Sequence, residues 1–137
     1  MNSQQEPKQV IIVRSDLRNS DGQKVRTGKL MAQVAHASLK AILSLGVNDG
    51  KNIMIPLEEP AVKQWLDCRF TKICVSVNSE MELLEIYNKA EKLGLPCSLI
   101  RDAGLTEFDG VPTYTTVAVG PGYPSDIDPI TRHLKLL

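Results

Sequence analysis

At 137 residues, with 42% apolar side chains, the chain has material for one domain with a real core and too little for two of ordinary size. Aromatic residues make up only 4%, so Val, Ile, Leu, Ala and Met must fill that core. Sixteen basic side chains balance sixteen acidic ones, which excludes a uniformly basic nucleic-acid-coating surface and confines any such contact to a local patch.

Residues 1–8 are polar and predict a loose tail, and the start MNSQQEPKQ lacks the apolar stretch of a secretory signal. A single domain is expected over 9–137. QVIIVRSDL is a continuous apolar run ending in charge, the pattern of a buried strand. Arg18–Arg26 reads as a mobile loop. Thr27 then opens a long helical pattern, TGKLMAQVAHASLKAILSLG, with Thr27 as its expected N-cap and Gly46 as its stop. VNDGKNIMIPLEEP is irregular, EPAVKQWLDCR predicts a short helix, and FTKICVSV a second strand. Asn78 or Ser79 is placed to cap SEMELLEIYNKAEKLG, whose early acidic residues suit the helix dipole. Leu95–Arg101 is a third strand, and Thr113–Val119 alternates as a fourth. The tail turns through three prolines toward a short helix and an apolar clamp.

Strands alternating with helices predict an α/β sandwich with a parallel or mixed sheet. Cys68, Cys74 and Cys97 form no CxxC pair, and their odd number cannot close into a full disulfide set. Cys74 and Cys97 sit in apolar runs and read as small buried hydrophobes. No run reaches the roughly 18 apolar residues of a membrane helix. A soluble cytoplasmic protein is expected.

In open α/β sheets, ligands gather beyond the carboxyl ends of strands. Asp16 follows the first strand and Asp102 the third, so both are candidates for one site, although Asp also caps turns. On the long helix, Lys29, Gln33, His36 and Lys40 fall within roughly 60° of one another around the axis, opposite a stripe of Leu30, Val34, Ala37, Ala41 and Leu45. Such a face could offer a cation, an amide and an imidazole to one ligand, although spacing alone favours a solvated surface. No GxGxxG or GxxxxGK[ST] loop supports a nucleotide site, and two distant histidines without CxxC or HxxxH give no metal pattern, so neither cofactor nor metal is expected.

The blocks VIIVRSDL, TGKLMAQVAHASLKA, SLIRDAGLTEF, TTVAVGP and ITRHLKLL, in this order, resemble those of the archaeal and eukaryotic type of peptidyl-tRNA hydrolase, the type 2 family. The likeness runs from Gln9 to Leu137. It implies a three-layer sandwich with a four-stranded mixed sheet flanked by helices on both faces. It also implies metal-independent cleavage of the ester in peptidyl-tRNA, and often a homodimer. Carried over, the site falls on Asp16, Lys29, Gln33, His36, Asp102, Thr106 and Thr115. Asp102 would position or deprotonate water, and Lys29 would supply positive charge. Gln33 and Asp16 would hold Lys29. Thr106 and Thr115 would bond the terminal adenosine or peptide carbonyls, with His36 in a supporting place.

The chain departs from the family pattern at Thr27, Ser76 and Leu105, where cations are usual, at Glu107 in place of glutamine, and at Arg132 in place of glycine. The longer loop before the helix brings Lys24 and Arg26, so Lys24, Arg26, Lys29 and Lys40 form the expected relocated tRNA patch. The other reading is a non-catalytic or altered-specificity homologue that binds tRNA, protein or another ligand.

Overall fold

The computed structural model describes residues 5–104 and 107–137. Strand β1 (Lys8–Arg14) is central because its Val and Ile residues are buried on both faces. It pairs in parallel with β4 (Lys72–Val77) and antiparallel with β6 (Thr113–Gly122). β6 also pairs antiparallel with β5 (Cys97–Asp102), and β7 (Lys135–Leu136) lies antiparallel on the outer side of β4. Among the described residues the main sheet therefore has five strands, in the order β5-β6-β1-β4-β7. That corrects the expected four. The fifth strand is two residues long and carries no alternation for a sequence pattern to reveal. For the same reason the stretch read as irregular hides a hairpin of β2 (Val47–Asn48) and β3 (Ile53–Met54).

The alternation of side chains along each strand divides the core into two layers. On one face, Ile11, Ile100 and Ala118 meet Ala37 and Ala41 of helix α1 (Thr27–Leu43). These alanines let the helix lie close to the sheet. On the other face, Val10, Ile12, Val75, Val77, Val117 and Val119 pack against Leu83, Ile86 and Ala90 of α3 (Glu80–Lys92) and Ile127 and Ile130 of α4 (Pro124–Thr131). Helix α2 (Pro60–Asp67) buries Trp65, whose indole N–H donates to the Thr71 carbonyl at 2.7 Å.

The caps refine the expected boundaries. Ser79 caps α3: its Oγ accepts from the Glu82 N–H at 3.1 Å, while Glu82 reaches back to the Asn78 N–H at 3.2 Å. At the start of α1 the capping position is Arg26 rather than Thr27, because the Arg26 backbone stays extended and its N–H donates to the Glu107 carboxylate at 3.2 Å. Gly46 follows the end of α1 where a Cβ would come within 2.6 Å of Ile53, so a close approach to the hairpin, rather than a left-handed turn, calls for glycine. Residues 5–7 already touch the body of the domain: Pro7 is buried and Glu6 pairs with Arg69 at 3.1 Å.

Candidate active site

Strands β1 and β5 both run antiparallel to β6, and β4 runs parallel to β1, so the carboxyl ends of β1, β4 and β5 share one edge. β6 begins at that edge, and α1 starts from it after the loop that follows β1. The topology thus delivers Asp102, the last residue of β5, beside the first turns of α1.

Asp102 Oδ1 accepts from Lys29 Nζ at 2.8 Å and from Gln33 Nε2 at 3.3 Å, and Oδ2 accepts from the Gly104 N–H at 2.8 Å. Burial is the largest single influence on this carboxyl and opposes its charge. Lys29, the Gly104 N–H and Gln33 together outweigh it and hold the group below the usual carboxylate range. The carboxylate is therefore ionised at neutral pH. Three of its roughly four acceptor positions are filled. Lys29 and Asp102 keep 13% and 14% side-chain exposure, so a small reacting group has access to the pair.

Gln33 is the hub, 2% exposed, and its Oε1 accepts from the Thr115 hydroxyl at 2.6 Å. A carboxylate offers only acceptors, so the amide must turn its NH₂ toward Asp102 and its oxygen toward Thr115. Thr115 is fully buried and already donates its proton, a placement different from the expected direct contact with substrate. Thr106 lies outside the described residues.

The helix face anticipated from spacing divides in two. Lys29 and Gln33 continue the buried line of Ala37 and Ala41, whereas His36 and Lys40 are exposed on the outer side. Gln33, Ala37 and Ala41 follow a row of four-residue steps inclined to the axis, and His36 and Lys40 each precede a member of that row by one residue, roughly 100° around the helix, enough to leave the sheet. Asp16 is held by Arg14 instead of Lys29 in the bonds its carboxylate makes: Arg14 Nε and Nη2 donate to it at 3.0 and 2.7 Å. Arg14 ends β1 two residues before Asp16, and this local partner wins.

The expected basic patch is also changed. Arg26, 76% exposed, forms an ion pair with the buried Glu107. The Arg26 hydrogen bond is the main influence holding the Glu107 carboxyl below its usual range. Lys24 and Lys40 are exposed and, among the described residues, have no carboxylate partner.

Three contributors escaped the sequence reading. Phe108, packed with Leu17, Val25 and Leu30, carries the Lys29 ammonium 5.8 Å from its ring centre. The Gly104 N–H is a backbone donor and leaves no side-chain signal. Thr116 donates to the Gln33 carbonyl at 3.1 Å, which only the register of β6 reveals. Among the described residues, no group of three or more His, Cys, Asp and Glu side chains is arranged to hold a metal ion.

The chain is 43% identical over 130 residues to a peptidyl-tRNA hydrolase of Methanocaldococcus jannaschii, covering 95% of this chain and 99% of the relative. It is 42% identical over 130 residues to that of Methanopyrus kandleri, covering 95% and 97% of the two chains. It is 43% identical over 131 residues to that of Thermococcus sibiricus, again covering 95% and 97%. The family described as Peptidyl-tRNA hydrolase PTH2 matches residues 7–137, a span that holds the whole strand-end network, and the chain belongs to that family.

Proposed function

We propose that this protein hydrolyses the ester between peptide and tRNA in peptidyl-tRNA and so returns tRNA to use. The observation that carries this reading is the Lys29–Asp102 pair, 2.8 Å apart and mostly but not wholly buried at the end of β5. Ester hydrolysis adds water across the bond: the water oxygen joins the carbonyl carbon, the bond to the ribose oxygen breaks, and that oxygen leaves with a proton. A carboxylate held below its usual range is a weak base at neutral pH, so Asp102 acts mainly by orienting the attacking water at its remaining acceptor position. The Lys29 ammonium, fixed by that carboxylate, faces the oxyanion as charge develops. Thr106 carries over from the family as a substrate contact. His36, Lys24 and Lys40, with Arg26 partly neutralised by Glu107, are the contacts offered to tRNA phosphates.

The test is release of peptide from an N-blocked aminoacyl-tRNA by purified protein, with and without EDTA. Release under both conditions is expected. Binding of tRNA with no cleavage at any salt concentration would leave a non-catalytic homologue instead.

The same protein is proposed to act as a homodimer. An apolar groove of about 860 Å³ lies between α1, α2 and the β4 side of the sheet, lined by Met31, Val34, Leu39, Trp65, Phe70 and Leu137. Met31 is 66% exposed there and Leu137 60%. A face of this kind marks an association site more often than bare surface, and a second copy is its simplest occupant. Light scattering should report a dimer that Met31→Asp with Leu39→Asp converts to a folded monomer. A monomeric wild-type protein would remove the proposal.

A further inference from the structure

Consecutive residues of a regular strand face opposite sides of the sheet. Yet the hydroxyls of Thr115 and Thr116 both reach α1, one on the Gln33 side chain at 2.6 Å and one on the Gln33 carbonyl at 3.1 Å. The register explains it. Ile100 pairs with Thr116 and Arg101 with Tyr114, so Thr115 is an extra residue with no partner on β5. Ala118 packs toward α1, whereas Val117 and Val119 pack toward α3. Thr116 therefore faces α1 by ordinary alternation, and Thr115 would face α3 without the irregularity. Beyond it the phase is reversed, since Tyr114 packs against the α3 layer. A bulge is a known way of re-aiming one side chain.

We infer that this bulge is a positioning device for the reaction, and that Thr116 is a positioning residue acting through Gln33. Thr116 fixes the backbone root of Gln33, Thr115 fixes the tip of its amide, and the amide then has one direction left in which to donate, toward Asp102. A second side-chain bond to the helix backbone supplies the contrast. Ser98 Oγ donates to the Ala37 carbonyl at 2.7 Å, one turn further along α1, also buried but away from Asp102. If such bonds only secure the helix, losing either should have the same effect. The inference rests on the hydrolase reading for its kinetics and on geometry alone for its titration.

The experiment compares Thr116→Val, Thr116→Ser and Ser98→Ala in the full chain, following kcat and KM on N-blocked aminoacyl-tRNA and the Asp102 carboxyl by carbon NMR across pH. Thr116→Val should lower kcat about five- to tenfold, the effect of one lost orienting hydrogen bond, with KM unchanged. It should also move the Asp102 titration and the acid limb of the rate profile to higher pH, because the amide bond favours the charged carboxyl. Thr116→Ser should restore both. Ser98→Ala should lower the melting temperature and leave the titration in place. Equal behaviour of Thr116→Val and Ser98→Ala would overturn the inference. Should Thr116→Val fold poorly, Thr115→Val with Thr115→Ser as its rescue puts the same question to the amide tip. An unmoved Asp102 titration there would be equally decisive. A wild-type protein that does not cleave the substrate would remove the hydrolase reading, while the titration would still decide the positioning role.

Discussion

Replacing Lys29 with Met keeps the length and packing of the side chain and removes the charge. In the folded protein Asp102 then loses the hydrogen bond and the attraction of Lys29, while the burial that opposes its charge stays. Breaking a fully buried ion pair costs about 3–5 kcal/mol. This pair is partly open to water, and Gly104 and Gln33 still serve the carboxylate, so about 1–3 kcal/mol is expected. For a domain of this size each kcal/mol lowers Tm by roughly 3–5 °C. The sign with pH follows from the direction of the shift. A depressed carboxyl contributes stability above its unfolded value of about 3.9 and loses it as pH falls through the folded value. The gap between wild type and Lys29→Met should therefore be widest at neutral pH and close under acid conditions. Turnover should fall about a hundredfold or more, the scale of one lost oxyanion donor. Lys40→Met is the comparison, since Lys40 is exposed, unpaired among the described residues, and lies about 16 Å further along the helix axis. Thermal melts across pH and peptide-release kinetics on both variants provide the assay. Equal loss of turnover in the two would refute the argument, because the helix would then act only as a diffuse basic surface.

Asp102→Asn should reduce cleavage by about a hundredfold or more, the scale of losing a water-positioning group, while the fold persists; near-normal peptide release would remove Asp102 from the mechanism. Affinity for tRNA should fall with salt along a shallow log–log line, equivalent to about two to four phosphate contacts, because Arg26 is spoken for by Glu107 and Lys24 and Lys40 are what the expected patch leaves open. Lys24→Glu should flatten that line, and Glu107→Gln should steepen it by about one contact through releasing Arg26. Filter-binding titrations across salt check both, and a slope indifferent to them would place recognition on the terminal adenosine and peptide.

Local chemistry was legible before the structure was known, and non-local register was not. Asp102 could be found because a strand-like run ends there in a charge followed by Ala-Gly, whereas the spacing of Lys29 and Gln33 fitted a solvated face as well and pointed to the site only together with the family blocks. His36 and Lys40 were grouped with them because a window of 60° looks like one face. The sheet instead follows an inclined row, Gln33, Ala37 and Ala41, which turns away from His36 and Lys40 along the helix. Asp16 was a candidate through its place at a strand end and was assigned to Lys29 through the family resemblance, and Arg14 two residues earlier holds it instead. The bulge at Thr115 depends on pairings between β5 and β6 that no stretch of either strand encodes alone. Strands β2, β3 and β7 are too short to show a period. The Glu107–Arg26 pair joins positions 81 residues apart, and nothing near either residue announces the other.

Gly104 does more than donate to Asp102. Its φ is +83°, and a Cβ there would lie 2.2 Å from the Val111 carbonyl oxygen. The Gly110 N–H donates back to the Gly104 carbonyl at 2.8 Å. The two ends of the stretch are therefore tied to each other beside Asp102, while Glu107 and Phe108 between them are anchored on Arg26 and on Leu17, Val25 and Leu30. A side chain at position 104 would therefore disturb two things together, the backbone donor that the carboxylate sees and the strap that carries Phe108 beside Lys29.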